Sequence, residues 1–449
     1  MSEAFDAIVI GTGPAGESAA GRLHDAGQRL AVVEAELIGG ECAYWACVPS
    51  KTLLRAPEAR TEAERAQGVA TPELDWADLR DYRDYMVRHL DDSGQVTGYQ
   101  DQGVTVIKGH AAFTGPRTVT VADREMTAEH ILIATGSQPV IPPIDGLADV
   151  PVWTNREATN LTEIPARALM VGGSAVGVEL STFLARFGTQ VTIVQSADRL
   201  LDREDPRVGE LVAAQLTDAG VTIHTSSTAR RARREDGDTV VTLDDGSQVR
   251  VDVIIIGAGR RPRTAGLGLD RTGITVDERG AIPIDASCRA GDGLWAIGDV
   301  TGKALFTHVG MYQARVAADT ILGHRRVASY DGIPRVVFGV PEIAAVGVTA
   351  AQARAAGHDV ITAELDLAES ITRPWTFEKQ PKGTLGLVAD RTEQRLLGAY
   401  AVAPLASEWI HQAALAIRAR IPLATLLDQV AQYPTYSEGY LQALEALPS

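Results

Sequence analysis

Two segments of the chain repeat a strand, a glycine-rich loop and a helix, and this doubled pattern constrains the fold more than any other feature. In the first, an apolar strand at residues 5–10 runs into the loop at residues 11–16, and the next strand ends at Glu34. In the second, a strand at residues 168–171 runs into residues 172–177. Glycines in such a loop let the backbone approach a pyrophosphate, and the N-terminus of the helix meets its charge. The sequence therefore predicts an α/β fold that binds two dinucleotides.

The composition argues against polyanionic partners. Asp and Glu total 58 against 42 for Lys and Arg, which gives a formal net charge of −16, and such a chain repels nucleic acid and anionic bilayers. No apolar stretch approaches the roughly 18 residues of a membrane span, and the first residues lack the basic region and cleavage site of a signal peptide. We expect no nucleic-acid partner, no membrane partner and a cytoplasmic location.

The two glycine loops differ in detail. Glu34 stands at the distance at which an acid accepts hydrogen bonds from an adenosine ribose. In the second unit Ser174 replaces the middle glycine and Gln195 replaces the acid, so we expect weaker or altered binding there. Arg199 is a candidate partner for a ribose phosphate, but an arginine in this segment is equally often a surface residue. The choice between NADH and NADPH stays open.

Cys42 and Cys47 are the most informative side chains, and Cys288 is the only other cysteine. In a regular helix, residues five apart have Cα atoms roughly 8 to 9 Å apart, beyond the roughly 7 Å limit of a disulfide, so the segment must be distorted if they pair. Pro49 predicts a helix start that places Cys47 near a positive helix end, which favours a thiolate, as does Lys51. The segment offers too few ligands for a metal site. The alternative is two buried core thiols.

The order of motifs over the whole chain resembles that of FAD-dependent pyridine nucleotide-disulfide oxidoreductases. The shared motifs are the first glycine loop, the two cysteines followed by Pro49-Ser50-Lys51, an Ala-Thr-Gly strand end, the second glycine loop, a Gly-Arg-Arg-Pro turn, a Gly-Asp pair and a C-terminal segment. Dihydrolipoamide dehydrogenases and mercuric reductases are the most similar members. The resemblance implies two Rossmann-like domains with a C-terminal α+β dimerisation domain, FAD and NAD(P)H as cofactors, and a homodimer.

The resemblance also implies a domain layout and a set of site residues. It implies an FAD-binding domain at residues 1–145 and 264–330, an NAD(P)-binding domain at 146–263 and a dimerisation domain at 331–449. Cys42 would be the thiol that meets the acceptor and Cys47 the thiol that faces the flavin. Lys51 would pair with Glu179. The cofactor-binding residues would be Gly11, Gly13, Pro14, Ala15, Gly16, Glu34, Gly40, Glu41, Cys42, Lys51, Ala134, Thr135, Gly136, Gly172, Ser174, Val176, Gly177, Gln195, Gly259, Arg260, Gly298, Asp299 and His308.

The C-terminal segment departs from the family pattern at one position. The family signature is His-Pro-Thr-x-Ser-Glu, and its histidine serves the partner subunit's disulfide as acid and base. Here the segment begins with Tyr433 and ends with Glu438. A tyrosine ordinarily titrates near pH 10, and lost acid–base catalysis typically lowers rates by roughly 100- to 10,000-fold. Tyr433 remains a candidate donor, but efficient dithiol exchange of the usual kind is not expected.

Three functions are compatible with this sequence. In the first, NAD(P)H reduces FAD, FAD reduces the Cys42–Cys47 disulfide, and the dithiol reduces a disulfide, a metal ion or another small acceptor. In the second, a quinone or diaphorase-type reductase passes electrons directly from flavin. Tyr44 and Trp45 between the cysteines would then offer a stacking surface, or they simply pack against an interface. In the third, the chain is a non-catalytic redox sensor or assembly component.

Overall fold

The structure is a computed structural model and describes residues 3–448. In chain order the helices are α1 Pro14–Asp25, α2 Gly40–Tyr44, α3 Cys47–Arg65, α4 Trp76–Met86, α5 Ser93–Asp101, α6 Asn155–Thr159, α7 Ala175–Arg186, α8 Pro206–Asp218, α9 Thr307–Ile321, α10 Ala350–Ala355, α11 Leu367–Ser370, α12 Ala406–Trp409, α13 His411–Arg418, α14 Leu423–Leu427 and α15 Glu438–Glu445.

The strands are, in the same order, β1 Glu3–Ile10, β2 Leu30–Glu34, β3 Thr105–Lys108, β4 Ala111–Gly115, β5 Thr118–Val121, β6 Arg124–Ile133, β7 Ser137–Pro139, β8 Val152–Trp153, β9 Arg167–Val171, β10 Gln190–Val194, β11 Thr222–His224, β12 Ala229–Glu235, β13 Asp238–Leu243, β14 Gln248–Val251, β15 Val253–Ile256, β16 Arg260–Pro262, β17 Arg289–Gly291, β18 Leu294–Ala296, β19 Pro334–Val337, β20 Glu342–Gly347, β21 Val360–Asp366, β22 Thr384–Asp390 and β23 Arg395–Ala403. They belong to two units, the first built from the chain up to Pro49, Asp81–Val140 and Gly259–Ser329, and the second from Ser50–Arg80, Ile141–Ala258 and the described chain after Tyr330.

The first unit is built on a mixed sheet whose central strands are parallel and carry the first glycine loop. Its strand order is β17-β18-β6-β1-β2-β3, with β4 and β5 attached through β6, and β17, β4 and β5 are antiparallel to their neighbours. Strand β1 lies between β2 and β6 and packs against apolar residues on both faces, which explains its almost unbroken apolar sequence. Val9 packs on the side of α1 and α9, and Ile8 and Ile10 pack into the core on the opposite face. The glycine loop follows β1 at the carboxyl end of the sheet.

The second unit contains a further parallel sheet and two antiparallel ones. The parallel sheet has the order β11-β10-β9-β15-β8 and carries the second glycine loop between β9 and α7. Strands β12, β13 and β14 form a three-stranded antiparallel sheet. The last sheet, β19-β20-β23-β22-β21, is antiparallel throughout and shares an apolar core with α12, α13 and α15.

These sheets confirm the predicted class of two Rossmann-like domains with a C-terminal α+β domain. The predicted domain boundaries stay a prediction. Among the described residues, every helix is either too short or too polar to cross a bilayer.

Candidate functional site

The two cysteines lie on either side of a break between helices. Helix α2 ends at Tyr44, the backbone of the next residue, Trp45 (φ −138°, ψ 2°), leaves the helical range, and α3 begins at Cys47. The break brings the sulfur atoms of Cys42 and Cys47 to about 3 Å from each other, although residues five apart on one continuous helix could not approach so closely. The distortion that the spacing predicts is present, and the structure describes the pair in its thiol form.

Helix α2 rests directly on the first glycine loop. The backbone N–H of Gly39 donates to the Thr12 carbonyl at 2.9 Å. A Cβ atom added to Gly40 would stand 2.6 Å from the Gly13 Cα atom, which is closer than packed carbon atoms tolerate. Because this contact leaves no room for a side chain, the position requires glycine. A pyrophosphate on the loop would therefore lie beside the helix that carries Cys42.

The surroundings of Cys42 act on the pKa of its thiol in two directions. The hydrogen bond with Cys47, burial and the neighbouring sulfur's charge together raise the pKa of the Cys42 thiol. The hydroxyl of Thr307 acts in the opposite direction; its Oγ1 lies 3.3 Å from the Cys42 sulfur and 3.4 Å from the Cys47 sulfur. Sequence reasoning missed Thr307, because it is about 260 residues away and belongs to none of the quoted motifs.

Lys51 and Glu179 form the ion pair that the family resemblance implies. The Lys51 ammonium lies 2.7 Å from Glu179 Oε2, and the glutamate side chain is only 8% exposed. The other carboxylate oxygen accepts the backbone N–H of Phe338 at 3.1 Å, and the ammonium stands 4.8 Å from the centre of the Phe338 ring. These contacts fix the orientation of both charged side chains.

The first glycine loop is organised by the acid that ends β2. Glu34 is buried, and its Oε2 accepts the backbone N–H of Thr12 at 2.8 Å and the Thr12 hydroxyl at 2.7 Å. The other oxygen accepts the N–H of Glu36 at 2.8 Å. A Cβ atom on Gly16 would meet the Gly11 carbonyl oxygen at 1.9 Å, so α1 starts in direct contact with the loop. The arrangement has the acid, the glycines and the helix start that an adenine dinucleotide requires.

A second polar group of the same unit surrounds Asp299. Its Oδ2 accepts the Ser137 hydroxyl at 2.6 Å, and that hydroxyl accepts from Arg260 Nε at 2.8 Å. Arg260 also lies 3.5 Å from the Glu41 carboxylate, and Arg263 lies 3.4 Å from it. Burial raises the pKa of Asp299, and the Ser137 and Arg260 contacts oppose that effect. The network joins the cysteine segment, the Gly-Arg-Arg-Pro turn and the Gly-Asp motif.

The second glycine loop has the same hydrogen-bond arrangement as the first, but a neutral amide takes the place of the carboxylate. Gln195 Oε1 accepts the Gly173 N–H at 3.0 Å, in the place where Glu34 serves Thr12. Ser174 has the backbone conformation of Gly13 (φ −74°, ψ 177° against φ −66°, ψ 179°). Its hydroxyl caps α7 and donates to the Gly257 carbonyl at 2.9 Å. These contacts draw the Ser174 side chain back onto the protein, and weaker or altered binding at this loop stays a prediction.

Arg199 is held by its neighbours in the chain. Its guanidinium lies 3.0 Å from the Asp198 carboxylate and donates to the Asp202 carbonyl at 2.9 Å. Gln195 Nε2 donates to the Arg199 carbonyl at 3.3 Å. Both proposed determinants of the nicotinamide cofactor therefore belong to one local cluster after β10.

The C-terminal segment places Tyr433 and Glu438 apart. Tyr433 is 69% exposed, and its hydroxyl donates to the Thr372 hydroxyl at 3.1 Å. Glu438 begins α15, and its Oε2 is buried without a hydrogen-bond partner among residues 3–448. Tyr436 fixes the segment between them, because its ring stacks on that of Trp409 with the ring centres 6.0 Å apart. The tyrosine hydroxyl therefore takes no part in a pair with the glutamate.

Most of the remaining predicted residues are buried or half-buried, whereas Gly259 and His308 are exposed. The Thr135 hydroxyl donates to the Arg263 carbonyl at 2.7 Å, and the Gly298 N–H donates to Gln313 at 2.7 Å. His308 is exposed, and its ring stacks on Phe306 at 5.2 Å. The remaining predicted positions of this kind lie on the two glycine loops, at the end of β6 and beside β16; they are Pro14, Ala15, Ala134, Gly136, Gly172, Val176, Gly177 and Gly259.

The position of Tyr44 contradicts the hypothesis that its ring offers a stacking surface to an acceptor. Its side chain is fully buried, and its hydroxyl donates to the Ile38 carbonyl at 3.0 Å. A guanidinium from Arg88 lies 5.7 Å from the ring centre. Tyr44 supports the cysteine helix from inside the unit and offers no stacking surface to an acceptor.

Comparison with known proteins identifies the family. The model of the pyridine nucleotide-disulphide oxidoreductases matches residues 5–320, and the model of the dimerisation domain of the same proteins matches residues 333–444. The chain belongs to the pyridine nucleotide-disulphide oxidoreductase family. Members of this family use FAD and NAD(P)H, which fits the two glycine loops with Glu34 and Gln195.

Relatives within the family have several different functions. A dihydrolipoyl dehydrogenase of Thermus scotoductus is 36% identical and aligns over 99% of this chain and 97% of its own. A mercuric reductase of Shigella flexneri is 34% identical over 98% of this chain and 80% of its own. The Cu(II) complex of the HOCl-induced flavoprotein disulfide reductase RclA of Escherichia coli has a TM-score of 0.89 at 31% identity, with 99% of each chain covered.

Proposed function

We propose that this chain is an NAD(P)H-dependent flavoprotein whose Cys42–Cys47 dithiol reduces a thiophilic metal ion. FAD, when bound at the first glycine loop, supplies the transfer of two electrons from NAD(P)H to the disulfide. The choice of a metal ion as acceptor rests on the C-terminal segment. Tyr433 stands where the family has its histidine, so the segment offers no imidazole to protonate a leaving thiolate, and the tyrosine hydroxyl donates to Thr372.

A metal ion suits a thiol pair that lacks a proton donor. In dithiol–disulfide exchange the leaving sulfur, with an ordinary pKa of about 8.5, needs a proton. A soft metal ion instead displaces the thiol protons and binds both sulfurs. Oxidation of the Cys42–Cys47 dithiol to the disulfide releases two protons to solvent and two electrons, which convert two Cu(II) ions to two Cu(I) ions. The names of the mercuric reductases and the Cu(II) complex of RclA support this class of acceptor.

The chain's own residues would hold the cofactors and subunits. Glu34 would accept hydrogen bonds from the adenosine ribose of FAD, and Gln195 would contact that of NAD(P)H. The ion pair of Lys51 with the buried Glu179 would keep an ammonium fixed at the flavin. The dimerisation domain supports a homodimer, and we expect the protein to act in the cytoplasm, where NAD(P)H is available.

The decisive experiment measures Cu(I) formation by the FAD-loaded protein with NADH or NADPH under anaerobic conditions. We expect Cys42→Ser and Cys47→Ser to lower the rate at least about 100-fold, the typical range for loss of a catalytic group. Cys288→Ala, which removes the buried third thiol, is the matched control. Wild-type rates in both serine variants would refute the proposal.

The same variants separate this function from direct transfer by flavin. A quinone reductase of the diaphorase type would keep its turnover in Cys42→Ser, and Tyr44 is buried where that hypothesis placed a stacking surface. Anaerobic titration gives a second criterion. We expect uptake of four electrons per subunit, two by FAD and two by the disulfide, and an uptake of two would contradict a redox-active pair.

A further inference from the structure

The turn after β10, residues 195–204, holds the second glycine loop on both sides of Gly173. Gln195 Oε1 accepts the Gly173 N–H at 3.0 Å, and the backbone N–H of Leu201 donates to the Gly173 carbonyl at 2.9 Å. A Cβ atom on Gly173 would stand 2.5 Å from a methyl carbon of Leu200, so the turn packs directly on the loop. The position of the loop therefore depends on the position of the 195–204 turn.

The 195–204 turn is strained at Leu201. This residue has a φ angle of 47°, in the left-handed region that bulky side chains rarely adopt. A residue keeps such a conformation only when the surrounding structure holds it there. The Leu201 carbonyl accepts the backbone N–H of Glu204 at 2.8 Å. A contact that holds Glu204 therefore also holds the strained residue.

Arg335 binds Glu204 from a distant part of the chain. Its Nε lies 2.7 Å from one oxygen of the carboxylate, and a terminal nitrogen lies 2.8 Å from the other oxygen. The second terminal nitrogen donates to the Gly347 carbonyl at 3.0 Å. The Glu204 side chain is only 13% exposed and that of Arg335 only 24%. A contact through two parallel hydrogen bonds fixes orientation as well as distance.

The segment that carries Arg335 supports the second glycine loop at another place as well. Arg335 belongs to β19, and Phe338 follows this strand directly. The backbone N–H of Phe338 donates to Glu179 at 3.1 Å, and Glu179 lies on α7, the helix that begins within the loop. Arg335 and Phe338 lie in the segment that the dimerisation-domain model matches, whereas Glu204 and Glu179 lie in the segment that the other family model matches.

We propose that Arg335 is a positioning residue for NAD(P)H binding. Through Glu204 it holds the 195–204 turn, and with it Gly173, where the second glycine loop binds the dinucleotide. A loop that leaves its binding position for part of the time loses affinity in the same proportion. The inference rests on the proposed function, because NAD(P)H binds at this loop in that proposal, but it does not depend on the acceptor.

The test is a calorimetric titration of the oxidised FAD-loaded protein with NAD⁺ and, separately, with NADP⁺. An oxidised dinucleotide carries no hydride to transfer to the flavin, so the heat reports binding alone. We expect Arg335→Met and Glu204→Gln each to weaken binding of the preferred dinucleotide about tenfold, as for a loop that is in place about a tenth of the time. Arg335→Lys keeps the charge without the two-point contact, so its affinity should lie between these values. If Arg335→Met fails to hold FAD, Arg335→Lys replaces it.

Stopped-flow reduction of the flavin by NADH or NADPH gives a second readout. We expect the half-saturating concentration to rise about tenfold in the two variants and the limiting rate to stay within about twofold of wild type, because only binding depends on the loop position. A fall in the limiting rate with unchanged half-saturation would contradict a role in binding.

Two further variants separate positioning from a general loss of stability. Arg207→Gln removes an ion pair to Glu364, 3.2 Å long and with side chains 43% and 42% exposed, and should keep the wild-type affinity. The double variant Glu204→Gln/Arg335→Met should bind no more weakly than either single variant, because all three lack the same contact. Additive losses, or a lower stability in chemical denaturation with affinities within about twofold of wild type, would overturn the proposal.

These readouts are independent of metal reduction. A tenfold loss of affinity in the variants, together with a wild-type protein that forms no Cu(I), would reject the metal acceptor and keep the role of Arg335. Formation of Cu(I) by wild type with unchanged affinity in the variants would reject that role and keep the proposed function. A wild-type protein that binds neither dinucleotide would refute both.

Discussion

The first glycine loop allows one prediction to be worked out in detail, because two of its glycines have different steric surroundings. A Cβ atom on Gly16 would lie 1.9 Å from the Gly11 carbonyl oxygen, whereas one on Gly13 would find its nearest neighbour, the Gly40 Cα atom, at 4.0 Å. Gly13 also has an ordinary backbone conformation (φ −66°, ψ 179°). Alanine at Gly16 should therefore disturb the protein itself, and alanine at Gly13 only a group that approaches the loop.

The expected magnitudes follow from these distances. Gly16→Ala forces α1 away from the loop by more than 1 Å, and overpacking of this kind lowers the free energy of unfolding by about 3 kcal/mol. Gly13→Ala should leave the FAD-free protein as stable as wild type or about 0.5 kcal/mol more stable, since alanine restricts the unfolded chain. Loss of roughly two backbone contacts to the pyrophosphate would weaken FAD binding by about 3 kcal/mol, more than 100-fold.

Two measurements on each variant check this reasoning. Chemical denaturation of the FAD-free protein gives the change in stability, and a fluorescence titration with FAD gives the affinity. Gly21→Ala on the exposed side of α1, where an added Cβ atom meets nothing within 4 Å, is the control and should retain both properties. If Gly13→Ala bound FAD within about threefold of wild type, the pyrophosphate would not lie on this loop.

Three further predictions concern the charged and amide side chains of the site. Lys51→Met should lower the free energy of unfolding by about 2 kcal/mol in chemical denaturation because it leaves the buried Glu179 carboxylate uncompensated; unchanged stability would show that the pair is dispensable. Gln195→Glu should raise the ratio of kcat/KM for NADH to that for NADPH about tenfold, since a carboxylate grips a ribose diol and repels its phosphate; a constant ratio in steady-state kinetics would contradict this. Burial raises the pKa of Asp299, so its ionisation opposes folding as the pH rises above about 4. Asp299→Asn should thus raise the melting temperature of the FAD-free protein more at pH 8 than at pH 4, and equal increments would be inconsistent with a buried carboxylate.

The two Rossmann-like units could be predicted from sequence because their chemistry is local. Strand β9 covers the predicted residues 168–171, and α1 and α7 begin within their glycine loops. The loop geometry depends on contacts between residues a few positions apart, such as those of Gly11 and Gly16. Because these contacts join residues close in sequence, a short motif is enough to predict the loop and the helix that follows it.

Strand β12 and the end of helix α4 differ from what their local sequences indicate. The charges of residues 230–238 are typical of a solvated surface segment, but β12 pairs with β13 and buries Ala229 and Ala232. The polar amphipathic pattern of residues 75–90 predicts one helix, but α4 ends at Met86, and Arg88 and the next two residues adopt positive φ angles. The turn at Asp236 and Gly237 marks the end of the strand, whereas no glycine or proline marks the end of the helix.

The site itself was predictable only in part. The cysteines and the Lys51–Glu179 pair follow from motifs, but Thr307 and Ser137 reach the site across more than 150 residues of chain. A threonine at a helix start and a serine at a strand start are unremarkable in a sequence. Only the fold shows that one touches both sulfurs and the other touches Asp299.

Under the proposed function, electron transfer and proton transfer depend on different residues. The groups that would serve electron transfer are a thiol pair about 3 Å apart, the Lys51–Glu179 ion pair and the two glycine loops. The C-terminal proton donor is altered, since Tyr433 bonds to Thr372 and Glu438 keeps an unsatisfied buried oxygen among the described residues. Tyr433→His should therefore supply an imidazole at this position and raise the rate of dithiol–disulfide exchange by about 100-fold, measured with a small disulfide substrate. If the rate did not rise, the tyrosine would not be what limits the choice of acceptor, and the argument for a metal ion would lose its main support.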